Sequence, residues 1–158
     1  MKAVKRYWLI KSEPDVFGFD DLKKAPNQTA AWEGVRNYQA RNFMRDDMKI
    51  GDLAFFYHSN ATPPGIAGIA KVVSECYPDP SQFQVKSEYF DANSPVDKPR
   101  WSLVDFQYVK PLARFLPLDE LKQHPALADM LVLRKGNRLS ITPVEKPHWD
   151  YIMEIASP

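Results

Sequence analysis

The chain has 158 residues, a length that suits one domain with one sizeable core. Hydrophobic residues make up 44%, aromatics 13% and charged residues 26%, with a formal net charge of +1. This globular profile excludes a bulk basic field, so any hold on nucleic acid must come from a local patch. Read in chain order, "MKAVKRYWLIKSEP" has only a short apolar run before Lys11 and Glu13. It predicts neither a signal peptide nor a membrane span, and hence a soluble intracellular chain, cytoplasmic or, in a eukaryote, nuclear. "YWLIK" (7–11), closed by Pro14, reads as a buried first strand. "GFDDLKKA" (18–25) reads as a short helix with Gly18 at its N-cap and Asp20 and Asp21 in its first turn. A second helix is expected over 35–48, with Tyr38, Phe43, Met44 and Met48 facing inward. "LAFFYHS" (53–59) and "GIAGIAKVVSEC" (65–76) read as strands joined by "NATPP", and Gly65 and Gly68 predict a bulge or a close backbone approach.

Beyond the loop "YPDPSQF", residues 101–113 alternate as one strand with both faces partly covered. "PLDELKQH" starts a short helix, "ALADMLVL" suits either a helical turn or a strand, and 138–144 reads as a late strand. Thr142 and Glu145 have capping-box spacing before a final helix to about Ile155. Short helices are interspersed with strands, without the regular alternation of a doubly wound sheet. The expected class is therefore α+β, a single domain over 1–158 around a curved sheet of about five or six mostly antiparallel strands with short helices outside.

Catalytic and metal motifs are scarce. No Gly-rich phosphate loop or serine elbow occurs. His58, His124 and His148 show no metal spacing with one another or with cysteine, so no metal and no cofactor are expected. Cys76, the only cysteine, forms no internal disulfide. It reads either as a small buried hydrophobe or as a nucleophile based by His58 or His148.

Polar and aromatic residues collect instead at predicted strand ends: "KSEP" (11–14), "WEGVRNYQARN" (32–42), "YHSN" (57–60) and "RKGNRLS" (134–140). Each segment alone also suits a structural role. Trp32 is equally a core residue, Arg36, Arg41 and Arg45 a solvated helix face, and "RKGNR" a surface turn.

In order along the chain, "YWLIKSEPDVFGFDDL", "WEGVRNYQARNFM", "GDLAFFYHSN" and "RLSITPV" resemble the signature blocks of the EVE domain, and the resemblance spans nearly the whole chain. Gly18 departs from the serine or threonine of that pattern. The resemblance implies a PUA-like β-pseudobarrel and kinship with the YTH and SRA readers of methylated bases. It implies Trp32 as a wall of an aromatic cage and Glu13 as a group facing the base edge. A flipped base offers two π-faces and one hydrogen-bonding edge. A pocket of Ser12, Glu13, Trp32, Asn37, Tyr38, Gln39, His58, Ser59 and Asn60 would supply stacking, donors and acceptors. Arg36, Arg41, Lys135 and Arg138 would hold flanking phosphates. The expected function is a non-catalytic, monomeric reader of a modified cytosine or adenine in DNA or RNA, with no membrane partner. The competing reading is a protein or enzyme that takes a free nucleotide, another small molecule or a small anion in the same pocket.

Overall fold

A computed structural model describes residues 6–157. Expectations resting on residues 1–5, including part of the N-terminal reading, lie outside the described residues. Six strands form the main sheet: β1 (Tyr7–Ser12), β2 (Thr29–Ala31), β3 (Leu53–His58), β4 (Gly65–Val72), β7 (Asp105–Pro117) and β8 (Ile141–Val144). Their order is β2-β7-β4-β3-β1-β8. β1 and β3 run parallel, and every other neighbouring pair is antiparallel. A separate ribbon pairs β5 (Tyr77–Pro78) with β6 (Ser102–Leu103). Register shifts lie between Phe56 and Tyr57 in β3 and beside Gly68 in β4. Such bulges increase local twist, and the sheet curls into the half-barrel of an α+β, PUA-like fold.

Alternation along the strands builds two cores. Trp8, Ile10 and Phe56 face one side, while Leu9, Phe55 and Tyr57 face the other. Burial on both faces explains why β1 and β3 read as continuous apolar runs. Helices α1 (Pro14–Phe17), α2 (Phe19–Lys24) and α3 (Tyr38–Asn42) serve the first core. α4 (Leu118–Leu121) and α5 (Lys146–Ile155) close the second. Gly68 permits the first closure, because a Cβ there would collide with the Phe19 ring of α2.

Three sequence expectations need correction. The helix expected over 35–48 begins only at Tyr38 and passes into a π-helical turn, Phe43–Asp47. Residues before it stay out of the helix because the Trp32 N–H donates to the Val104 carbonyl and the Gly34 N–H to Asp79 Oδ2. Tyr38 then points outward, 52% exposed, while Ala40, Met44 and Met48 are buried. The single strand expected over 101–113 is split at Val104, because β6 pairs with β5 whereas β7 pairs with β4 and β2 and continues to Pro117. The capping box at Thr142 does not form. Thr142 is buried in β8 opposite Leu9, and α5 starts after Glu145 with no side-chain cap.

Candidate functional site

Beside the first core lies a cavity of about 920 Å³. The C-terminal end of β1 contributes Lys11 and Ser12, and Glu13, Val16 and Phe17 follow. The irregular stretch after β2 supplies Trp32, Glu33, Gly34, Val35 and Arg36, and the loops add Ser59, Glu88, Tyr89, Arg138 and Ser140. Lys11 and Ser140 meet because the Lys11 N–H donates to the Ser140 carbonyl at 2.8 Å, which extends the β1–β8 pairing.

Trp32 belongs both to the core and to the cavity wall. It is only 8% exposed. Its aromatic neighbours all stand edge-on: Phe17 at 6.4 Å and 79°, Phe56 at 5.6 Å and 85°, Phe106 at 5.3 Å and 76°. No aromatic ring among the described residues lies flat against it. Its indole N–H finds no acceptor among those residues, yet no fully buried side-chain nitrogen or oxygen there lacks a partner. The N–H is therefore open to solvent.

Tyr89 forms a further wall and was not anticipated from the sequence. Its ring packs on the bare Cα of Gly34, whose φ is +86°, and a Cβ there would lie 2.5 Å from the ring. Arg36 fixes the loop that carries it. Nε and Nη2 donate to the Tyr89 carbonyl at 3.1 and 2.7 Å, and Nη2 also reaches Ser81 Oγ. Nη1 donates to the Val35 carbonyl and forms an ion pair with Asp79 at 3.1 Å. Asp79 is buried and also accepts from the backbone N–H groups of Gly34 and Ser81 and from Ser81 Oγ. Arg36 thus borders the cavity with its donors committed to protein groups, which leaves no free fork for a phosphate. The Tyr89 hydroxyl is pushed above its ordinary range, first by burial and then by Glu88.

The other anticipated residues scatter. Ser12, Glu13, Trp32 and Ser59 line the cavity, with Arg36 and Arg138 among its cations. Asn60 lies just outside and donates to Glu13 Oε1 at 3.3 Å. It borders a smaller hollow of about 470 Å³ with His58, Thr62 and Phe115. His58 Nε2 accepts the Phe19 N–H at 3.1 Å, an internal role that needs the neutral ring, and burial lowers its pKa accordingly. Asn37 Oδ1 accepts from the Ala40 N–H and caps α3. Tyr38 and Gln39 are exposed on that helix, and Lys135 is exposed in its loop, all outside the cavity lining. Arg41 donates to the Arg100 carbonyl at 2.6 Å, also away from the cavity. Arg138 is exposed and has no ion-pair partner among the described residues. Lys11 is half-buried, and desolvation lowers its pKa.

Other chemical groupings have plain structural accounts. Cys76 is exposed rather than buried, with its thiol on the Arg45 carbonyl and no histidine partner among the described residues. Asp129, Glu145 and His148 hold ligand atoms within 4.8 Å of one another. His148 already bonds Asp129 at 2.8 Å, and both carboxylates are exposed, so the group reads as a hydrogen-bonded surface pair at the start of α5. Among the described residues, no helix is long and apolar enough to cross a membrane.

Comparison with known proteins places this geometry. The EVE domain family model matches residues 6–155. Human thymocyte nuclear protein 1 is 45% identical over 171 residues, covering 98% of this chain and 76% of the relative. The crystal structure of human THYN1 protein in complex with 5-methylcytosine-containing DNA superposes with a TM-score of 0.92 at 44% identity, covering 98% of this chain and 99% of that one. A crystal structure of a Pseudomonas putida protein gives a TM-score of 0.90 at 45% identity, covering 96% and 99%. By sequence blocks, topology and structural likeness together, the chain belongs to the EVE domain family.

Proposed function

We propose that this protein is a non-catalytic, intracellular module that reads a modified base in nucleic acid, with 5-methylcytosine in DNA as its first ligand. The observation that carries the reading is Trp32, a fixed indole beside a large cavity with only edge-on aromatic neighbours. A flipped base stacking there gains roughly 1–3 kcal/mol, the range for base–aromatic stacking in single-strand binders. Glu13 stands at the mouth as an acceptor for the exocyclic amine of cytosine. Val16, Phe17 and Val35 offer the apolar contact that a 5-methyl group needs. The related THYN1 structure with 5-methylcytosine-containing DNA supports this choice of ligand. Lys11 and Arg138 are the cations left to approach phosphate, and the protein works as a monomer on one modified site.

One observation favours the second reading, a free nucleotide or other small molecule. Glu13, Glu33 and Glu88 face the same cavity as Lys11, Arg36 and Arg138, so the site has little net pull on a phosphate chain. Titration against matched oligonucleotides with cytosine or 5-methylcytosine, in single and double strands, separates the two. The reader binds the methylated strand severalfold tighter, with a shallow salt slope. Glu13→Gln keeps the fold and alters base preference. Equal binding of methylated and unmethylated strands sinks the reading, and tight binding of the mononucleotide alone favours the second.

A further inference from the structure

Outside the cavity, the exposed Tyr38 has an organised setting that the core does not require. Its ring stacks on Trp101 at 4.8 Å and 17°. The Arg41 guanidinium lies 4.7 Å from the Tyr38 ring centre and 5.9 Å from that of Trp101. These three separations place Arg41 to one side of the line joining the two rings, and Tyr38 remains 52% exposed. Arg41 is held there by its bonds to the Arg100 carbonyl and to Asn42 Oδ1. Trp101 is buried and anchored by its own N–H to Asp91 Oδ2 at 2.8 Å.

The same stack leads back to the cavity. The Arg36 guanidinium carbon lies 5.2 Å from the Trp101 ring and 5.7 Å from the Tyr89 ring. Tyr89, Arg36, Trp101 and Tyr38 therefore form a continuous series of flat groups from the cavity wall to the surface.

We propose that the outer face of Tyr38, flanked by Arg41, is a second stacking platform, which takes an unpaired nucleobase adjacent to the base held in the cavity. The proposal rests on the base-reading function above. A flat ring already immobilised on Trp101 loses little entropy when a base lands on it, and the neighbouring guanidinium supplies a cation for that nucleotide's phosphate. Because any base has a π-face, the platform adds affinity with little sequence preference.

The test is a coupling experiment with an oligonucleotide carrying one 5-methylcytosine. A base-less sugar is placed in turn at each flanking position and titrated against wild type, Tyr38→Ala and Tyr38→Phe. Tyr38→Ala is expected to weaken binding by roughly 5- to 150-fold, the range for loss of one stacked base, while Tyr38→Phe stays near wild type. At one flanking position the missing base weakens wild type but does not weaken Tyr38→Ala further. Preference for the methylated base persists in both variants. Methyl-selective binding that is unchanged in Tyr38→Ala, or a loss that simply adds to base removal at every position, overturns the platform and leaves the reader intact. No oligonucleotide binding by wild type overturns both.

Discussion

Trp149 and Trp32 belong to the two cores that the main sheet divides, and they are nearly equally buried. Trp149 lies flat on Phe55, with ring centres 3.8 Å apart, and stacks with Tyr7 at 4.6 Å. Trp32 touches three rings, all of them edge-on, and has the cavity beside it. Burial alone thus fails to tell these two settings apart. The ring geometry differs: Trp149 has parallel partners on its π-faces, whereas Trp32 has none among the described residues and borders the cavity.

The sharpest way to break the comparison is to truncate both. Trp149→Ala should cost roughly 3–5 kcal/mol of stability, since it empties a closed, stacked site. The folded fraction should still bind methylated DNA as wild type does. Trp32→Ala should cost less, on the order of 3 kcal/mol, because its site already borders open space. It should also lose the stacking contribution to binding. Thermal unfolding paired with oligonucleotide titration reads both. Equal binding losses for the two variants would end the distinction.

A smaller change sharpens it from the opposite wall. Gly34→Ala puts a Cβ into the Tyr89 ring at a backbone φ of +86°. The backbone strain should cost roughly 1–3 kcal/mol. The ring has to leave its seat, so affinity should fall severalfold in conditions where the protein remains folded. A variant that loses stability while keeping wild-type affinity would show that Tyr89 plays no part in binding.

The sheet was legible where the chain buries both faces of a strand, and the site was legible only in part. β1 and β3 announce themselves as apolar runs because each carries both cores. Gly68 could be read as a close approach because nothing larger than hydrogen fits against Phe19. Trp32 and Glu13 came from the family resemblance, while local pattern left Trp32 open between core and site. Tyr89 was illegible: it sits in a loop without periodicity, and it reaches the cavity through Arg36, 53 positions earlier. Tyr38 reads as inward when the helical period is run back to Val35, but Asn37 caps the helix just before Tyr38 and Gly34 is tied to Asp79, so the period starts later. His58 and Asn60 share the strand-end stretch "YHSN" with Ser59, but the His58 ring is taken up by the Phe19 N–H and both residues border the smaller hollow.

The first core also carries a titrating group whose effect can be predicted in sign. Burial holds the folded-state pKa of His58 below the ordinary 6.5, partly offset by Asp20. The unfolded chain therefore takes the proton first as pH falls. The stabilisation is complete above pH 6.5 and shrinks as pH drops through that value toward the folded-state pKa. Protonation also removes the acceptor for the Phe19 N–H. Melting temperature should fall as pH is lowered from 8 to 5.5, and His58→Gln should flatten that slope. An unchanged slope would assign the pH dependence to other groups.

The smallest expected effect tests whether α2, which closes the first core, tolerates improvement without disturbing the cavity. Gly18 caps this helix with φ −89° and ψ 175°, backbone angles open to any residue, and its N–H is already bound by Asp21 Oδ2 at 2.7 Å. A glycine has no side chain to accept from the first turn, whereas a serine hydroxyl does. A Cβ at this position would sit 3.4 Å from Pro14 atoms, ordinary contact that needs no rearrangement. Gly18→Ser should therefore stabilise the protein by a few tenths of a kcal/mol, about the difference between serine and glycine as caps. Affinity for methylated DNA should stay the same, because Gly18 does not line the cavity. A drop in affinity with the fold intact would mean that α2 must yield when the base enters, and that the first core is a moving part of the site rather than its rigid support.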